Sequence, residues 1–197
     1  MIYTYFTRLL FISMPLCASM CGCGDEGDRD YNYLRVETTD LTAVENVDTI
    51  YEVGDTLFIK TKIPFQLTTV SLENVDLDEF EIGDFGVGFN LLLLRETGFG
   101  TLGTVPLNDE FLVQDIGNTD AVEESINVYC ERTSNGFENR FGIVLNESGT
   151  YQISTRRDAT VLPIRYFVDV IAGDTRIDIN AYLSQSSANG NFTFKVE

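Results

Sequence analysis

The chain has 197 residues, of which 44% are hydrophobic and 22% charged, so it is long and apolar enough to bury a core without a disulfide framework or a structural metal. Its 31 acidic residues against 13 Lys and Arg give a net charge of -18, which repels a phosphate backbone and excludes nucleic acid as a partner. The absence of histidine removes the usual base for a nucleophilic cysteine.

Residues 1–22 have the pattern of an export signal. The basic residue Arg8 precedes the apolar run "LLFISMPLCASM", which is too short and too interrupted by Pro15 to span a bilayer. At its end, "MCGC" places the small residue Gly22 directly before Cys23. This arrangement resembles a bacterial lipobox, which implies cleavage before Cys23 and attachment of a diacylglycerol to its thiol. Cys21 is the alternative, although a bulky Met20 would then precede the cut.

Residues 23–34 are predicted to be a lipidated, flexible, acidic tether. The tract "GDEGDRD" mixes acids with glycines, a composition that stays solvated. It is similar to the acidic export tract behind the lipid-bearing cysteine in surface lipoproteins of the Bacteroidota. That resemblance implies a lipid-anchored protein of the outer membrane that faces the cell surface. The alternative is a plain tether on a lipoprotein that faces the periplasm.

The remainder, residues 35–197, is predicted to form a single all-β domain, because apolar residues recur with period two in short segments separated by turns. Leu57 and Ile59 alternate with Phe58 and Lys60, and the continuous run of leucines 91–94 indicates a strand covered on both faces. In "ESINVYCER" the alternation turns Cys130 towards the core, where a thiol is inert.

Two C-terminal patterns predict further strands. A hairpin is expected around Gly173 and Asp174, with one inward stripe before the turn and a second one after it. The inward residues are Ile164, Tyr166, Val168, Val170, Ile177, Ile179, Ala181 and Leu183. In the tail "NFTFKVE", Phe192, Phe194 and Val196 face inwards and predict a closing strand.

A short helix is expected in "NTDAVEESI". Asp120 fits the N-cap position and Glu123 follows three residues later, as in a capping box.

The segment "LNESGTYQIS" resembles the tyrosine corner of immunoglobulin-like sandwiches. The resemblance implies that the hydroxyl of Tyr151 bonds back to nearby backbone and that Ile153 points inwards. About ten short strands with almost no helix then give an antiparallel immunoglobulin-like β-sandwich as the expected fold.

The candidate cation ligands are acidic residues in "ENVDLDEFEIGDFG", namely Asp76, Asp78, Glu81 and Asp84. A hard cation such as calcium binds six to eight oxygens, yet the spacing fails the EF-hand pattern, so a solvated acidic loop is the alternative. The triplets at Thr49 and Thr56 look like the short acceptor pattern for O-linked glycans in Bacteroidota, and both threonines could equally begin strands.

Four phenylalanines collect near glycines at Phe80, Phe85, Phe89 and Phe99. The sequence favours core positions for them over an exposed partner site.

Together these features predict a lipid-anchored envelope lipoprotein that acts as a non-catalytic binding or structural module, with no cofactor, no metal and no catalytic residue. Its partners would be the membrane, through the lipid, and an unknown protein or glycan. The alternatives are a carbohydrate-active envelope enzyme using paired carboxylates, and an accessory subunit of an outer-membrane or adhesive assembly.

Overall fold

The computed structural model describes residues 32–155, 162–171, 174–184 and 191–197. The predicted signal peptide, the lipidation candidates Cys21 and Cys23 and most of the predicted tether therefore lie outside the described residues. Within the described ranges the chain forms sixteen strands and two short 3₁₀ turns, Leu77–Glu79 and Asp109–Phe111. The first strand begins at Asn32.

In chain order the strands are β1 (Asn32–Thr38), β2 (Thr42–Val44), β3 (Ile50–Tyr51), β4 (Thr56–Pro64), β5 (Gln66–Thr68), β6 (Asn74–Asp76), β7 (Ile82–Glu96), β8 (Leu102–Thr104), β9 (Leu112–Ile116), β10 (Asn118–Val122), β11 (Ser125–Arg132), β12 (Gly136–Val144), β13 (Gly149–Ser154), β14 (Ile164–Val170), β15 (Thr175–Ala181) and β16 (Phe192–Val196). The prediction of an all-β fold is confirmed.

The long strand β7 organises the sheet. Its first half pairs antiparallel with β11 and β14, and its second half pairs antiparallel with β13 and β8. The main path of neighbouring strands runs β1-β15-β14-β7-β11-β12-β4-β2, and β5 and β6 form a separate pair. β7 therefore pairs with two groups of strands, and the sheet curls around a shared interior.

Two of the pairings are parallel. β1 runs parallel to β15 over seven residue pairs, from Asn32 opposite Thr175 to Thr38 opposite Ala181. β3 runs parallel to the closing strand β16. The sheet is therefore mixed rather than wholly antiparallel.

The core follows the predicted alternation. Leu57, Ile59 and all four leucines 91–94 are buried. Aromatic rings reinforce this packing, since the ring centroids of Phe89 and Tyr166 lie 4.9 Å apart and those of Tyr51 and Phe194 lie 5.3 Å apart in an edge-to-face arrangement. The core prediction for Phe89 is confirmed.

The two C-terminal predictions are confirmed as well. β14 and β15 pair antiparallel, with Ile164 opposite Ala181 and Tyr166 opposite Ile179. In β16 the three predicted inward residues are buried, and this strand pairs with β13. Cys130 is buried on β11.

The predicted helix at Asp120 is wrong. Residues 118–122 form β10, which pairs antiparallel with β11 so that Val122 lies opposite Ser125. The two residues between them turn the chain, and Glu123 takes a left-handed φ of 57°. The segment forms a hairpin rather than a capped helix because β10 buries Thr119 and half-buries Ala121. Two helical turns would leave these side chains without a surface to pack against.

Three hydroxyl groups are joined by hydrogen bonds in the interior. The Oγ1 of Thr42 lies 2.8 Å from the Oγ1 of Thr61 and 2.7 Å from the hydroxyl oxygen of Tyr166. All three residues are fully buried. Burial raises the pKa of the Tyr166 hydroxyl, so this group stays protonated and bonded within the core.

Candidate functional site

A cleft of about 520 Å³ lies beside the end of β7. We call it the corner cleft. One wall comes from the end of β7, the following turn and β8, and the other comes from the segment after β12. Its lining includes Leu93, Arg95, Glu96, Val105, Leu107, Phe111, Leu145, Glu147 and Tyr151.

The floor of the corner cleft is apolar. Leu93 and Leu145 are buried beneath it, and Val105, Leu107 and Phe111 are half-buried around it. The amide of Val105 donates to the carbonyl oxygen of Leu93 at 2.8 Å, which fixes the segment after β8 against β7. Such a floor favours an apolar side chain of a ligand, because each apolar contact made there removes surface from water.

The rim is held by the tyrosine corner. The hydroxyl of Tyr151 donates to the carbonyl oxygen of Glu147 at 2.8 Å, as the local resemblance predicted. Ile153 is buried at the predicted inward position. Burial raises the pKa of the Tyr151 hydroxyl while the nearby Arg95 lowers it, and the net direction is upward. The hydroxyl therefore remains a donor at neutral pH.

Arg95 connects the two walls of the cleft. Its guanidinium forms an ion pair with Glu147, donates to the carbonyl oxygen of Ser148 at 2.8 Å and lies 5.6 Å from the ring centroid of Tyr151. Gly149 permits this approach, since a Cβ atom at that position would lie 2.8 Å from the Nε of Arg95. The Glu147 carboxylate is thus engaged in an ion pair with Arg95 at the rim of the cleft.

An exposed phenylalanine stands next to the cleft. Phe99 is 95% exposed at the tip of the turn between β7 and β8, so the expectation of a core position is wrong for this residue. The turn is compact because the amide of Gly100 donates to the carbonyl oxygen of Thr97 at 3.0 Å and Gly100 takes a left-handed φ of 72°. The turn is too short for its tip to fold back onto the core. Phe80 is half-buried against the core.

The predicted cation ligands do not converge. Asp76 caps the first 3₁₀ turn, where its Oδ1 accepts from the amide of Asp78 at 2.9 Å, and its other oxygen accepts from Gln66. Asp78 forms an ion pair with Arg132. Glu81 and Asp84 are exposed. In the part of the chain that the structure describes, no three His, Cys, Asp or Glu side chains form a group that could hold a metal.

The two predicted glycan acceptors lie in different settings. Thr49 is exposed just before β3, and its amide donates to the Oδ1 of Asp48 at 2.7 Å. Thr56 is half-buried as the first residue of β4. Glycan attachment at Thr49 and Thr56 stays a prediction.

Sequence reasoning missed the corner cleft. The segment that contains Glu147 and Tyr151 was singled out only as a structural corner, and Arg95 only ends an apolar run. The cleft needs side chains from β7, β8 and β13 together, and no local pattern carries their proximity.

Comparisons with known proteins assign no family. No family model matches the chain, and no curated protein sequence matches it. Among solved structures, the human F-spondin reeler domain is similar at 11% identity with a TM-score of 0.37, covering 83% of this chain and 94% of that one. A structure of the Reelin-N domain of F-spondin gives 11% identity and a TM-score of 0.33, covering 83% of this chain and 91% of that one. Scores at this level transfer neither family nor function.

None of the described segments forms a helix of the length and apolar character that a bilayer requires.

Proposed function

We propose that this chain is a lipid-anchored protein of the bacterial outer membrane that faces the cell surface and acts as a non-catalytic binding module. The sequence supports the anchor through the glycine before Cys23 and the acidic tract behind it. Several acyl chains on one residue would exceed the two signals needed for stable membrane attachment. The β-domain would then be presented to partners at the end of a short solvated tether.

We further propose that the domain is an immunoglobulin-like sandwich. The hydrogen bond from Tyr151 to the backbone of Glu147 and the inward position of Ile153 support this assignment. The parallel pairs β1–β15 and β3–β16 would be additions at the margins of that fold.

The corner cleft is the observation that carries the binding role. It combines an apolar floor with a rim whose Arg95 and Glu147 are already paired and oriented. A site of this kind binds without reorganising its charged groups, which lowers the cost of ordering on association. Phe99 would cover an apolar side chain of a protein partner once that side chain enters the cleft.

The anchor is tested by following the protein in fractionated cells. We expect the wild-type chain and Cys21→Ala in the membrane fraction and Cys23→Ala in the soluble fraction. Mass spectrometry of the native N-terminal peptide should show acyl groups on Cys23. External protease should degrade the protein on intact cells. An unmodified N-terminus that begins elsewhere would refute the anchor.

The binding role is tested with a photo-crosslinking amino acid placed at Phe99 in intact cells. The matched control carries the same group at Leu72, which is 85% exposed in the turn between β5 and β6. We expect a discrete protein adduct from position 99 that is absent from position 72. Equal labelling at both positions, or none at position 99, would contradict a partner at the corner cleft.

A further inference from the structure

A second concavity of about 550 Å³ lies along β14 and β15, and we call it the arginine groove. Its lining shares no residue with that of the corner cleft. The residues that matter for its chemistry are Asn90, Thr155, Arg165, Phe167, Arg176 and Asp178. All six contribute polar or aromatic groups.

The charge balance of the arginine groove differs from that of the chain as a whole. Among the described residues that line it, Arg165 and Arg176 stand against one acidic residue, Asp178, whereas the chain has a net charge of -18. The corner cleft has the opposite balance, with one arginine against two glutamates. This local balance favours a ligand with negative groups, in a chain that is acidic overall.

Arg165 is oriented by the sheet. Its Nη2 donates to both carboxylate oxygens of Asp178 at 3.0 Å, and Phe167 lies directly opposite Asp178 in the β14–β15 register. The Arg165 side chain is nevertheless 71% exposed. The guanidinium is therefore held in place while much of its surface faces solvent, which suits the planar recognition of a further carboxylate.

Phe167 supplies an apolar surface in the same groove. The residue is 40% exposed, and its ring lies over Gly88 on the neighbouring strand β7. A Cβ atom at Gly88 would lie 2.3 Å from the Cζ of Phe167, so only glycine allows the ring to pack there. Tyr129 supports the ring in an edge-to-face arrangement with centroids 6.1 Å apart.

From this arrangement we infer that the arginine groove binds a carboxylated oligosaccharide. A sugar ring presents an apolar C–H face that would pack on Phe167, and its carboxylate would bind Arg165 and Arg176. The side chains of Asn90, Thr155 and Asp178 offer both donors and acceptors for sugar hydroxyls. An acidic peptide could also use the arginines and, through its backbone, these polar side chains, so the preference for a glycan rests on the C–H face of a sugar ring packed on Phe167. This site is independent of the proposed role of the corner cleft.

The test uses the full-length purified protein in native gels that contain a uronic-acid polymer, namely polygalacturonate, alginate or hyaluronan. Gels with neutral dextran or with poly-glutamate serve as comparisons, at about 150 mM salt to screen interactions beyond roughly 8 Å. We expect at least one uronic-acid polymer to retard the protein, and neither comparison polymer to do so. Methyl esterification of polygalacturonate should abolish any retardation by that polymer.

Four variants separate the groove from general surface charge. Arg165→Ala should weaken binding by about tenfold or more, as expected for losing a hydrogen bond to a charged group, and Phe167→Ala by about two- to tenfold, as expected for losing an aromatic contact. Lys195→Ala removes the same charge from an exposed ion pair on β16, and Tyr182→Ala removes an exposed aromatic outside the groove. Both controls should bind like wild type. Circular dichroism and thermal unfolding establish that each variant is folded.

Several results would overturn the inference. The inference fails if none of the three uronic-acid polymers retards the protein, or if dextran retards it equally. It also fails if Arg165→Ala and Lys195→Ala weaken binding to the same extent. Retardation by poly-glutamate as strong as by the glycans would assign the groove to acidic protein segments instead. If Phe167→Ala is unfolded, Arg165→Ala alone decides, because Arg165 is exposed and lies outside the core.

Discussion

Replacing Tyr151 by Phe isolates the hydrogen bond of the tyrosine corner. The hydroxyl donates to the carbonyl oxygen of Glu147 at 2.8 Å, while the ring stacks on Phe194 with centroids 5.6 Å apart and planes at 14°. Phenylalanine keeps the stacked ring and removes only the donor. The carbonyl is part-buried, so the loss should be the net value of one hydrogen bond, about 1 kcal/mol of unfolding free energy. For a domain of this size that lowers the melting temperature by about 2–4 °C.

The assay is thermal unfolding of the purified protein followed by circular dichroism, with Tyr182→Phe as the matched control. Tyr182 is 47% exposed, so removing its hydroxyl should change the unfolding free energy by less than about 0.5 kcal/mol. Tyr151→Ala removes the buried ring as well and should cost about 3–5 kcal/mol. If Tyr151→Phe is no less stable than Tyr182→Phe, the corner bond does not hold the segment after β12, and the argument for a rigid cleft rim is refuted.

Three further predictions concern the core. Burial raises the pKa of Cys130 from an ordinary 9.0 to about 12. The unfolded thiol therefore loses its proton first, and stability falls as pH rises from 9 to 12 by roughly 1.4 kcal/mol per pH unit for this group. Urea unfolding at several alkaline pH values should show a shallower fall in Cys130→Ala, and an unchanged slope would contradict the assignment. Tyr166→Phe and Thr42→Val should each lower the free energy of unfolding by about 1–3 kcal/mol. Because the two side chains share one buried hydrogen bond, the double mutant should show a coupling energy of about 1 kcal/mol. Strictly additive losses would argue against that bond. Gly136→Ala should lower the free energy of unfolding by about 2 kcal/mol or more, because φ is +150° and the new Cβ would lie 2.1 Å from the carbonyl oxygen of Ile63. The control is Gly98→Ala, whose Cβ would meet open space, and it should leave stability unchanged in the same denaturation assay.

Most of the confirmed predictions rest on local alternation. Leu57 and Ile59 are buried because alternate residues of a strand face the same side of a sheet. The same rule placed Cys130 on the inner face of β11 and Phe194 on that of β16. These assignments need only the segment itself and the presence of a core.

The errors occur where a local pattern competes with pairing to another segment. Asp120 and Glu123 match a capping box, yet residues 118–122 join β11 in a hairpin. Phe99 looks like a core residue by type, but the turn that carries it is too tight to fold back onto the core. In both cases the structure of the segment depends on which other part of the protein it can pack against, and the sequence of that segment alone does not contain this information.

The sequence by itself determined that this chain forms strands and which side chains of several strands face inwards, and a local resemblance predicted the bond from Tyr151 to nearby backbone. Only the tertiary structure decided that β1 lies parallel to β15, that β7 serves two groups of strands, and that the arginines of β14 and β15 share one groove. The physical reason is the separation along the sequence of the residues that each feature depends on. Side-chain alternation is set by adjacent residues, whereas strand pairing and grooves depend on bringing together segments more than a hundred residues apart, such as β1 and β15, and on burying their shared surface.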